Sequence, residues 1–90
     1  MTAKQKERLR ERATTDPNLT AGAALLLLRL LLIADELGDE FPMSHKNAGR
    51  IVGKTDKATI YARINQLVPG YLTRARLDGC PPTWKFKFNV

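Results

Sequence analysis

The stretch from Ser44 to Leu72, SHKNAGRIVGKTDKATIYARINQLVPGYL, is divided into two short helices by its own punctuation. Ser44 suits the cap of a helix over His45 to about Val52, which would bury Ala48, Ile51 and Val52. Gly53 fits a tight turn, because glycine takes positive φ without strain. Thr55 or Asp56 then caps a second helix, about 56–68, which stops at Pro69-Gly70. In that helix Ile60, Ile64 and Leu67 fall at i, i+4 and i+7, a single apolar stripe. Its other face carries Ala58, Ala62 and Asn65, flanked by Thr59, Tyr61 and Gln66, and is almost free of acid.

Beyond the stop, the period changes. Trp84, Phe86, Phe88 and Val90 alternate with Lys85, Lys87 and Asn89, which is the pattern of a half-buried strand. The preceding run, YLTRARL, sets Tyr71, Thr73, Ala75 and Leu77 on one face and Leu72, Arg74 and Arg76 on the other, and either face could be the inner one. The two runs read as a β-hairpin, its rings closing a core in preference to forming a stacking platform for single strands. Asp78-Gly79-Cys80-Pro81-Pro82-Thr83 separates them and is not basic. Glu40-Phe41-Pro42 reads as a short extended link able to supply a small third strand.

The N-terminal half is of a different kind. Residues 1–18 are polar and basic, with Leu9 the one large aliphatic after Met1, and read as a solvated arm or a short helix without an apolar stripe. Asp16-Pro17-Asn18 marks a turn, and Thr20 caps a helix expected to run from Ala21 to a Gly38 stop. This helix, AGAALLLLRLLLIADELG, is apolar nearly all round, with Gly22, Arg29 and Glu36 as its solvent stripe. Its uninterrupted part would span about 21 Å, short of the ~30 Å hydrocarbon core of a bilayer. Arg29 sits at its middle and no cleavage site follows, so it reads as a core helix. Leu25, Leu26, Leu32 and Ile33 flank Arg29 and are more than ninety residues easily cover. They are roofed by the N-terminal segment or form the interface of a homodimer or other partner, with the homodimer preferred.

Charge is unevenly placed. From Met43 to Val90 there are nine lysines and arginines against Asp56 and Asp78, whereas from Pro17 to Pro42 Arg29 faces four acids. The excess therefore sits on the helix pair and hairpin, as a phosphate backbone would require. Cys80 is the sole cysteine and His45 the sole histidine, too few for a structural zinc site or a disulfide. His45 reads as a surface residue or a phosphate contact. Gly49 to Thr55 imitates a phosphate-binding loop, but has three residues between its glycines where the motif needs four. With no paired carboxylates and no nucleophile–base set, the expectation is a non-enzyme without cofactor, metal or small-molecule ligand.

Ile51-Val52-Gly53, Ala58-Thr59-Ile60, Arg63-Ile64, Leu67, Gly70-Tyr71-Leu72 and the closing WKFKFNV together resemble the winged helix-turn-helix superfamily. That superfamily includes bacterial, archaeal and phage regulators and plasmid or phage replication initiators. The resemblance implies a fold that is mostly α with a C-terminal β-hairpin, in one domain over 19–90. It implies a double-stranded DNA partner, a role in transcriptional regulation or replication initiation, no membrane, and a cytoplasmic, nucleoid-associated location. The helix at about 56–68 would enter the major groove, with Ala58, Thr59, Ala62 and Gln66 meeting bases. Lys46, Arg50, Lys54, Lys57, Arg63, Arg74, Arg76, Lys85 and Lys87 would meet phosphates. Tyr61 would join them or pack beside Val68.

Overall fold

A computed structural model describes residues 1–38, 40–53, 56–76 and 84–90. The described chain is mostly helical, with a small antiparallel sheet, in the order α1 (Ala3–Thr15), α2 (Ala21–Leu32), α3 (Ala34–Leu37), β1 (Glu40–Met43), α4 (His45–Val52), α5 (Lys57–Leu67), β2 (Leu72–Arg76) and β3 (Trp84–Phe88).

The first correction falls on the N-terminal segment. Of its two expected forms, a solvated arm or a short helix without an apolar stripe, it takes the helical one, and residues 3–15 pack along α2. Thr2 and Gln5 make a reciprocal capping box, each side chain bonding the other's backbone N–H. Leu9 and Ala13, one turn apart, are buried against α2 and supply the apolar stripe that the composition concealed. Lys6 pairs with Asp35 at 2.8 Å, and Arg12 lies over the Tyr71 ring, 4.7 Å from its centroid. The Tyr71 hydroxyl donates to Asp16 at 2.9 Å, so α1 is tied at both ends to later parts of the chain.

The second correction concerns the long apolar helix. α2 ends at Leu32, the chain bends at Ile33, and α3 carries on for one turn to Gly38, whose φ of 78° closes it. Leu26, Leu27, Leu30 and Leu31 are buried, as is Ala34. Leu26 therefore belongs to the chain's own core and cannot form part of an intermolecular face. Leu25 and Leu32 remain 38% and 83% exposed, and Ile33 is half-buried. Gly22 is half-buried too, not solvent-facing, because the Arg63 guanidinium lies against it.

β1 takes up the extended link and makes the sheet three-stranded, in the order β1-β3-β2, with both pairings antiparallel. Leu72 stands opposite Phe88, and Phe86 lies between Phe41 and Arg74. The inner face of β2 is thus the one bearing Leu72, and Leu72, Phe41, Met43, Phe86 and Phe88 are all buried. The Phe41 ring sits 6.1 Å from that of Phe86 and 5.3 Å from that of Phe88, which closes these rings to any stacked base. Asn89 donates from its side chain to the Pro69 and Gly70 carbonyls, fastening the link between α5 and β2 to the end of β3. Among the described residues, no helix is long and apolar enough to cross a membrane.

Candidate nucleic-acid interface

α4 and α5 take the form that their punctuation implies. The Ser44 hydroxyl accepts from Asn47 N–H, and Gly53 closes α4 in the left-handed region with φ of 68°. Lys54 and Thr55 lie outside the described residues, so the phosphate role expected of Lys54 does too. Asp56 caps α5, accepting from Ala58 N–H and from the Thr59 hydroxyl. That hydroxyl bond, above all, holds the Asp56 carboxyl below its usual range and keeps it ionised. Ile60, Ile64 and Leu67 are buried, which turns Ala58, Ala62 and Asn65 outward, and all three are exposed.

The four side chains expected to meet bases do not stay together. Ala58 and Ala62 hold the centre of the outer face. Thr59 sits on a flank with its hydroxyl proton given to Asp56, so it serves the cap instead of a base edge. Gln66 has turned back toward α2. Its Oε1 accepts from Thr20 N–H at 2.9 Å and from the Thr20 hydroxyl at 3.0 Å. The same Thr20 oxygen accepts from Ala23 N–H, so the Gln66 oxygen completes the N-cap of α2. Asn65, expected on this outer face though not among the four, is exposed there beside Ala58 and Ala62. The i, i+4, i+7 spacing of Ala58, Ala62 and Asn65 is what sets it on that face.

The expected phosphate contacts divide similarly. Lys46, Arg50 and Lys57 are exposed on α4 and at the start of α5. Lys57 Nζ stands 5.7 Å from the centre of the half-buried Tyr61 ring. Arg63 is not on this face. A Cβ built on Gly22 would fall 2.5 Å from its Nε, so the guanidinium lies across the first turn of α2. In the sheet, Arg74 is level with Phe86 on the inner face and reaches Asn65, its Nη1 donating to Asn65 Oδ1 at 3.1 Å. Lys85 and Lys87 are exposed on the outer face, and Lys85 pairs with Glu40 at 2.7 Å. That lysine, through its hydrogen bond first and its charge second, holds the Glu40 carboxyl below its usual range. The expected single basic wing surface is therefore split between two faces of the sheet. Arg76 pairs with Trp84 in the backbone register, and its side chain and that of His45 lie outside the described residues.

Arg29 is exposed, as its place on the solvent stripe implies, and also donates to the Ile51 carbonyl in the last turn of α4. A cation at that end of a helix complements its dipole and fixes α4 against α2. Among the described residues, no three of His, Cys, Asp and Glu come together in a way that could hold a metal ion. Comparison of the chain with the models of known families, with curated proteins and with solved structures finds no match.

Proposed function

We propose that this chain is a winged helix-turn-helix module that binds double-stranded DNA, with α5 entering the major groove. The observation that carries the reading is the outer face of α5. It is shallow at Ala58 and Ala62 and polar at Asn65, it starts at the exposed Lys57, and the preceding helix α4 carries the exposed cations Lys46 and Arg50. Asp56, its one acid, is bound into the helix cap. Short side chains let a helix lie deep in the groove, where alanine methyls meet thymine methyls, while flanking cations neutralise phosphates. Transcriptional regulation or replication initiation, in the compartment that holds the DNA, follows from the superfamily resemblance.

Binding to mixed-sequence and enriched duplexes across a salt series tests this reading. A protein that neutralises phosphates loses affinity linearly in log salt, with a slope of about −0.9 per phosphate. Lys57→Glu and Arg50→Glu should each weaken binding to all sequences and reduce the slope by about one. Negligible binding at low salt would overturn the proposal.

A second reading, a protein-docking or dimerisation module, is favoured by one observation. Leu25, Leu28 and Leu32 lie at i, i+3 and i+7 on α2, and Leu32 is 83% exposed. Light scattering on wild type and Leu32→Lys decides whether that stripe joins two copies.

A further inference from the structure

We infer that Arg74, by holding Asn65, makes this face select guanine over adenine at one position of its site. The inference rests on the duplex-binding reading of α5. An asparagine on a groove-facing helix ordinarily suits adenine, its Oδ1 accepting from N6 and its Nδ2 donating to N7. Here Oδ1 already accepts from Arg74 Nη1 at 3.1 Å. A guanidinium can only donate, so this contact also fixes which end of the amide is the oxygen. The Asn65 Nδ2 makes no hydrogen bond among the described residues.

An adenine docked on Asn65 would bring its N6 amino group to the remaining lone pair of an oxygen shared with the Arg74 cation, donor beside donor. Guanine presents N7 and O6 there, two acceptors side by side. These accept from Nδ2 and favour the neighbouring positive charge. Asn65 therefore offers its amide donor beside the Arg74 cation that orients it, although the two come from different elements, α5 and β2. Ala58 and Ala62, further toward the helix N-terminus, leave thymine methyls as their matching feature.

Selection of bound duplexes from a random pool tests this with wild type, Asn65→Ala and Arg74→Met. Methionine keeps an unbranched stem and removes every donor. Wild type should enrich guanine over adenine at one position by about fivefold to a hundredfold, the range of a good base contact. Asn65→Ala should erase the preference at that position alone. Arg74→Met should turn it toward adenine, because it removes the competing donor and its positive charge from beside Oδ1. Arg74→Lys, which retains a cation that donates, should keep guanine with a smaller margin and remains informative if Arg74→Met fails to fold. A selected site whose base preferences are indifferent to all three substitutions would overturn this inference and leave duplex binding standing. Failure of wild type to retain any duplex at low salt would overturn both.

Discussion

Replacing Gln66 separates a groove-reading side chain from a structural one. Gln66 Oε1 ends a relay that runs from Ala23 N–H through the Thr20 hydroxyl, and it also accepts from Thr20 N–H. Gln66→Ala removes two hydrogen bonds. Each is worth about 0.5–1.5 kcal/mol net, and exposure to competing water favours the lower half of that range. The expected loss is about 1–2 kcal/mol, or about 4–16 °C in Tm for a domain of this size. Gln66→Glu keeps both accepting contacts and sets a negative charge at the N-terminus of α2, where a carboxylate is favoured by about 0.3–1 kcal/mol. Its stability should match or exceed wild type. Thermal and urea unfolding of both variants, with duplex selection alongside, measure the effect. Gln66→Ala should melt earlier and select the same site. An unchanged Tm together with a preference altered at one base position would refute the structural role.

Other substitutions and conditions test the remaining contacts. Leu9→Ala should destabilise by about 2–4 kcal/mol in urea unfolding, because the leucine is only 2% exposed on the buried face of α1, whereas a solvated arm would register nothing. Asp35 is held below its usual range by its hydrogen bond to Lys6 and then by that lysine's charge, and Glu40 similarly by Lys85. Depressed carboxylates contribute stability above their unfolded values, so a modest contribution should disappear as pH falls below about 4, seen as a declining Tm in acid. Tyr71 is shifted the other way, upward, by burial first and by its hydrogen bond to Asp16 second. Its contribution is complete below the ordinary value of about 10 and is lost as pH rises past it, so phenolate absorbance should appear late in an alkaline titration and earlier in Asp16→Asn.

What the sequence made legible was local. Thr20, Ser44 and Asp56 cap helices because a short polar side chain meets backbone N–H groups two or three residues on, and Gly38 and Gly53 end helices because they take positive φ. The stripe of Ile60, Ile64 and Leu67 followed from spacing alone. Contacts between elements were not legible. Leu9 and Ala13 are too few to announce a stripe, and their burial is decided by the surplus leucines of α2. The bend at Ile33 carries no signal in a run that is apolar on every side. Alternation in β2 defined two faces but not the inner one, which depends on its register with β3. Gln66 and Arg63 are polar residues at the flank of α5. Only their proximity to the start of α2 converts them from candidate DNA contacts into packing and capping groups.

The strand order β1-β3-β2 has a consequence for synthesis on the ribosome. β1 and β2 emerge before β3, yet each takes its sheet hydrogen bonds from β3 and neither pairs with the other. While the nascent chain is still short of residues 84–88, helices α1 to α5 can condense on one another but Phe41 and Leu72 have no partner strand to cover them. Arrival of β3 joins both neighbours and sets Phe86 opposite Phe41 and Arg74 together. The Arg74 to Asn65 contact on the outer face of α5 therefore depends on β3 only through the pairing that fixes β2 in place.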